Sequence, residues 1–229
     1  MLLSNDCFLT ETCKKAEECA REGGNNFCQK LFKLEYLYTE SQLSKNQWRY
    51  IGLRHDKDGT DKEEYEILKN ISLDIENFVK EGKNLYIHSP ICGNGKTAWS
   101  IRLMQCYFSS IWHKCDFTCH GLYINVPRYL IELKNSISAP SEYVDKIKEN
   151  ILSADLVIFD EIGTKSATPY EYEHLLSMIN GRIDYGKSNI YTSNLSNEEL
   201  MERLGERLYS RIVNLSKEII FHGKDKRRV

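Results

Sequence analysis

A chain of 229 residues, 41% of them hydrophobic, is long enough for one α/β domain with a small appendage. Its net charge of −2 excludes a surface that binds duplex nucleic acid by overall charge, and no apolar run approaches the roughly 20 residues of a membrane span. The start Met1-Leu2-Leu3-Ser4-Asn5-Asp6 turns polar too soon for a signal peptide, so a cytoplasmic location is expected, where eight cysteines read as metal ligands or core residues and not as disulfides.

Cys7, Cys13, Cys19 and Cys28 all fall in the first segment. That segment is short and polar, so something other than an apolar core is expected to hold it, and a tetrahedral four-cysteine zinc site is the reading favoured over a set of unrelated thiols. The spacings are looser than the common paired pattern, while Lys14, Lys15 and Arg21 between the cysteines favour thiolates. Residues 1–40 are thus expected to form a cysteine-rich module leading into a helix over Lys30–Tyr38, whose apolar residues recur at helical spacing. Residues 41–61 are polar without sustained periodicity and read as a linker; residues 62–229 read as the main domain.

A helix over about 62–80 carries Tyr65, Leu68, Ile71, Ile75 and Phe78 on one stripe and ends at Glu81-Gly82. Strand-like Leu85-Tyr86-Ile87 then leads into Ser89-Pro90-Ile91-Cys92-Gly93-Asn94-Gly95-Lys96-Thr97 and a helix to about Trp112. Glycines let such a loop curl so that successive N–H groups point inward at phosphates, with Lys96 reaching the outer phosphates and the Thr97 hydroxyl ligating Mg²⁺. The helix N-terminus adds partial positive charge. Gly93, Asn94, Gly95, Lys96, Thr97 and Ala98 are therefore the candidate nucleotide-binding residues. Pro90 stands where the G-x-x-x-x-G-K-[ST] pattern has its first glycine, and it has no N–H, so the loop must begin differently.

His113, Cys115, Cys119 and His120 are metal-ligand types, but no ligand spacing emerges and they read as core and loop residues. A strand over 121–126, helices over 128–136 and 141–153, and the continuously apolar Leu156-Val157-Ile158-Phe159 follow, the last having the pattern of a strand buried on both faces. Pro169 opens a helix to about Tyr185. A strand over 189–194, two short helices and a final strand over 218–221 complete the alternation, which predicts a doubly wound parallel sheet with its site at the strands' C-terminal ends.

Asp160 and Glu161 fall at such a strand end. The first is placed to hold Mg²⁺ with Thr97, the second to orient and deprotonate an attacking water. Asn194 closes the next strand, where a neutral amide can position that water; the bland reading makes it a helix cap, for which Ser196 is at least as good. Arg207 and Arg211 lie four apart on a helix, so an arginine there can enter a neighbouring subunit's site; the bland reading is an ion pair with Glu202 or Glu206. In the basic end Lys224-Asp225-Lys226-Arg227-Arg228, one arginine is placed to contact nucleotide, against the reading of a solvated tail.

Together, Ser-Pro-Ile-Cys-Gly-Asn-Gly-Lys-Thr, Leu-Val-Ile-Phe-Asp-Glu-Ile-Gly, Tyr-Thr-Ser-Asn-Leu, Gly-Glu-Arg-Leu-Tyr-Ser-Arg-Ile and Gly-Lys-Asp-Lys-Arg-Arg resemble, in order and spacing, the bacterial and phage replicative helicase loaders of the DnaC/DnaI type, which are AAA+ ATPases. The resemblance covers residues 62–229, and the cysteine-bearing start looks like those loaders' helicase-binding module. It implies an ATP-dependent chaperone that delivers a DnaB-type hexameric helicase onto single-stranded DNA and assembles into a spiral or ring. By the family's pattern Lys96 and Thr97 serve nucleotide and Mg²⁺, Asp160 and Glu161 are the acidic pair, Asn194 the sensor, Arg211 the finger and Arg227 the second sensor. The helices over 127–153 would be the family's inserted element. Within the same fold the alternative is an IstB-type transposition helper ATPase, which the cysteine-rich start argues against. A non-hydrolysing nucleotide-binding adaptor is the alternative of another class, and intact Lys96, Asp160 and Glu161 argue against it.

Overall fold

The computed structural model describes residues 7–9, 11, 13, 28–53, 55 and 59–226. Five strands, β1 (Asn84–His88), β2 (Gly121–Asn125), β3 (Leu156–Asp160), β4 (Ser188–Ser193) and β5 (Ser216–Ile220), form one sheet in the order β2-β3-β4-β1-β5. Every pairing is parallel, with Tyr86 opposite Tyr191 and Ile158 opposite Ile190.

Alternation along the strands explains why they read as unbroken apolar runs. Leu85, Ile87, Leu156, Ile158 and Ile190 enter one core, while Tyr86, Val157, Phe159 and Tyr191 enter the other. Each face is covered by helices, so both sets must be apolar. Leu156, Val157, Ile158 and Phe159 are all 0% exposed, each burial contributing about 1.5–3 kcal/mol.

One layer holds α1 (Gln29–Glu40), α2 (Lys62–Leu73), α3 (Ile75–Lys80) and α4 (Lys96–Ile111); the other holds α5 (Val126–Asn135), α6 (Glu142–Asn150), α7 (Pro169–Asp184) and α8 (Asn197–Tyr209). The single helix expected over 62–80 is two. It breaks at Asp74, whose φ of −122° is non-helical and whose carboxylate accepts from Asn77 Nδ2 at 2.7 Å. Aspartate competes with helical hydrogen bonding in this way, which suits it to ends and breaks. Gly205, at φ 69°, likewise kinks α8 before a π-turn at Ser210–Asn214.

α1 packs into the main domain: Leu34, Leu37 and Tyr38 share a core with Leu103, Met104 and Phe108. The chain after it stays on the domain. Ser41 accepts from the Tyr123 amide at 2.7 Å, on the outer edge of β2, and Gln105 Nε2 donates to the carbonyls of Gln47 and Arg49 at 2.9 and 2.7 Å.

The zinc expectation finds no support. Among the described residues no group of three or more histidines, cysteines or acids is arranged to hold a metal ion. Cys7 and Cys13 are half-buried and pack against the core, and Cys28 Sγ caps α1 by accepting from the Leu31 amide at 3.4 Å. Cys19 lies outside the described residues. Cys115 and Cys119 are buried, and burial pushes the Cys119 thiol up to about 12. No helix among the described residues is long and apolar enough to cross a membrane.

Candidate functional site

β1 ends at His88, and the phosphate-binding type of loop runs from there to α4. Its start is organised without the missing glycine. Ser89 is fully buried, and its hydroxyl oxygen accepts from the Ile91 amide at 3.1 Å and from Asn94 Nδ2 at 2.8 Å, so the turn closes around Pro90 by side-chain hydrogen bonds. Gly93 and Gly95 take φ of 75° and 111°, a backbone that side-chain-bearing residues rarely adopt. Lys96 is 6% exposed, and its Nζ curls over the loop, donating to the carbonyls of Ser89 (3.3 Å) and Ile91 (2.8 Å) and to Asn94 Oδ1 (3.2 Å).

Two strands away, β3 delivers Asp160. Its Oδ1 accepts from Thr97 Oγ1 at 2.9 Å and Thr192 Oγ1 at 2.7 Å, and its Oδ2 from the Tyr123 hydroxyl at 2.7 Å. Three hydroxyls, from the start of α4, from β4 and from β2, thus converge on one carboxylate. Burial and the neighbouring Asp160 raise the Tyr123 phenol, which therefore remains a donor. Glu161 follows at φ 61°, a left-handed backbone costing a non-glycine residue on the order of 1–3 kcal/mol. Its amide donates to Thr192 Oγ1 at 3.0 Å and its carboxylate accepts from Asn125 Nδ2 at 3.2 Å, so the strained turn is held from both neighbouring strands.

Beside them lies a cavity of about 940 Å³, large enough for a nucleoside triphosphate. Glu161, Thr192, Asn194 and the loop from Cys92 to Trp99 line one side. Ile51, Gly52, Leu53 and His55 line another, so part of the stretch that reads as a linker forms a largely apolar wall suited to a base. Ser196, and not Asn194, caps α8, with the Ser196–Glu199 capping box complete. Asn194 is left facing the cavity.

The donor set fits a Mg²⁺–triphosphate. A buried ammonium and a glycine-opened loop are suited to phosphate oxygens, and the Thr97 hydroxyl beside the Asp160 carboxylate is a hard-oxygen pair of the kind Mg²⁺ takes.

Arg211 is elsewhere. Its Nε donates to Asn180 Oδ1 on α7 and its Nη1 to the Arg207 carbonyl at 3.0 Å, so it belongs to the outer face of α7 and α8 within its own subunit. Neither Glu202 nor Glu206 pairs with it among the described ion pairs. Arg227 lies outside the described residues, but Lys226 lines the cavity. Tyr123, Asn125 and Thr192 were not singled out in the sequence. Their one signal is position: each sits in the last three residues of a strand whose neighbour ends in the acidic pair.

No family model matches the chain, and no curated protein matches it in sequence. Solved structures do share its fold. The structure of the DnaC helicase loader aligns at a TM-score of 0.62 and 19% identity, covering 78% of this chain and 99% of that one. That of DnaI aligns at 0.54 and 20% identity, covering 80% and 93%. Replication initiator DnaA bound to AMPPCP and single-stranded DNA aligns at 0.55 and 17%, covering 74% of this chain and 48% of that one, so the chain spans about half the initiator's length. At these identities the likeness establishes the fold alone, a five-stranded parallel sheet between helical layers.

Proposed function

We propose that this chain is an ATP-dependent replicative helicase loader, which binds a DnaB-type hexameric helicase and delivers it onto single-stranded DNA. The observation that carries the reading is the Thr97–Asp160 hydrogen bond beneath the Lys96 loop, at the C-terminal edge of a sheet shared with helicase loaders. An initiator of the same fold bound to AMPPCP and single-stranded DNA supports both the nucleotide and the DNA parts.

In this reading Lys96 turns from its loop carbonyls to the outer phosphates of ATP, and Thr97 and Asp160 hold Mg²⁺. The metal, when bound, offsets charge on the phosphates. Glu161 aligns the attacking water and accepts its proton, with Asn194 as a second anchor for that water. Arg211 serves a neighbouring subunit's site, so hydrolysis requires self-assembly, and Arg227 contacts nucleotide in its own subunit.

Single-turnover ATP hydrolysis by wild type and by Glu161→Gln tests the chemistry. Loss of the base is expected to slow hydrolysis by about 10²-fold or more while nucleotide still binds; equal rates would remove the ATPase mechanism. Capture of the replicative helicase by the full chain, and its transfer to single-stranded DNA only with ATP, tests the partner.

A further inference from the structure

The chain's basic end does not leave the domain freely. After β5, the Phe221 amide donates to the His88 carbonyl at 3.0 Å, continuing the pairing along β1 to the very start of the phosphate loop. The next two amides are captured together: His222 N–H and Gly223 N–H donate to Asp61 Oδ1 and Oδ2 at 2.7 and 2.8 Å. Asp61 is 7% exposed and sits at φ 59°, a strained backbone at the head of α2 whose carboxylate closes this two-point clasp. Beyond the clasp the strap bends back over the loop. The Lys226 amide donates to the Gly93 carbonyl at 3.0 Å, and the Asp225 carboxylate lies so close that a β-carbon on Gly93 would be 1.9 Å from its Oδ1.

A carboxylate pressed on a glycine-opened bend of a phosphate loop is a like charge at the place where a polyphosphate must come. We propose that residues 224–226 form a nucleotide-displaced strap, in which Asp225 competes with the phosphates for the Gly93 turn and is expelled when a nucleoside triphosphate binds. The inference rests on the nucleotide-binding reading of that loop. Asp61 makes the displacement local: it keeps His222 and Gly223 in place, so the movement is confined to Lys224, Asp225 and Lys226 among the described residues. The basic residues there, Lys224 and Lys226, change position with nucleotide state. The ligand's charge is thereby reported to the surface of the domain next to its own site.

Removing the carboxylate removes the competition. Asp225→Asn and Asp225→Ala are both expected to bind ATPγS·Mg²⁺ about fivefold more tightly than wild type, the scale of one solvent-exposed charge contact. Asp225 is exposed, so both variants should keep the fold. In the wild type, hydrogen exchange at the Lys226 amide should accelerate when ATPγS·Mg²⁺ is added, while His222 and Gly223 keep their protection. Equal affinities of wild type and both variants, with Lys226 exchange unchanged by nucleotide, would overturn the strap and leave the nucleotide site standing. If neither wild type nor Asp225→Asn bound nucleotide, the reading of the loop itself would fall, and the strap with it.

Discussion

Arg182 shows how much of this fold hangs on single side chains away from the chemistry. It is fully buried on α7, and its guanidinium donates to the carbonyls of Ile151, Ala154, Asp155 and Ser188 and to Asn189 Oδ1. Those acceptors lie at or just before the starts of β3 and β4, so one planar fork ties together the strands that carry Asp160 and Thr192. Burial lowers its pKa to about 10, and it remains a cation. Arg182→Met keeps the volume but strands several buried carbonyls, and is expected to cost about 3–5 kcal/mol in urea unfolding; a cost under about 1 kcal/mol would show that water replaces the guanidinium. The sequence does not announce this residue, because an arginine in an amphipathic helix reads as surface. The Lys96–Thr97 loop and the Asp160–Glu161 strand end, by contrast, stand out in the sequence as local patterns, and the structure joins them through the Thr97–Asp160 hydrogen bond. Tyr123 and Asp225 do not stand out, since each meets its partner only across the sheet or after the chain has closed on itself.

At the scale of elements, the strands and the helices after residue 62 were legible from periodicity, because burial on two faces leaves a sequence pattern. The segment 41–61 was not. It is polar where it makes backbone hydrogen bonds to β2 and α4, and only Ile51 and Leu53 hint at the cavity wall. The connection from α4 to β2 was legible as loop and core, yet its fastening is ionic. His120 Nδ1 meets Asp155 Oδ2 at 2.7 Å and Nε2 meets Asp116 Oδ1 at 2.9 Å. The hydrogen bond to Asp155 is the main cause that raises the imidazole above its ordinary 6.5, outweighing burial. Burial opposes the charge on Asp155, but bonds from His120 and Lys187 prevail and hold it at about 2. A raised histidine contributes its stability fully below 6.5, and that contribution is lost as pH rises through the folded-state value. A depressed carboxylate contributes above 3.8, and its share is lost as pH falls toward about 2. The unfolding midpoint of the wild type should therefore decline as pH rises above 6.5. His120→Gln should flatten that limb and lower the midpoint by about 2–4 °C at mildly acidic pH, for a contact worth roughly 1 kcal/mol. A variant with the same alkaline limb as wild type would show that another group sets it.

For the whole molecule, the decisive geometry is where Arg211 is not. Within its own subunit it is fastened to Asn180 and the Arg207 carbonyl on the outer face of α7 and α8, while Glu161 and the Lys96 loop line the cavity at the sheet edge and Asp160 is buried beside Thr97. If it acts on phosphates, it acts in trans, and the two halves of a working site come from two copies of the chain. That separation permits a complementation experiment. Arg211→Ala keeps an intact nucleotide pocket but gives its neighbour no arginine; Glu161→Gln gives the arginine but cannot activate water. Each alone should bind ATPγS with wild-type affinity and hydrolyse ATP slowly. Mixed in equal amounts under conditions of assembly, they should recover roughly a quarter of the wild-type rate, the share of interfaces that random mixing pairs correctly. No recovery, with assembly verified by sedimentation, would place Arg211's contribution inside its own subunit, and the bond to Asn180 would then be its whole role.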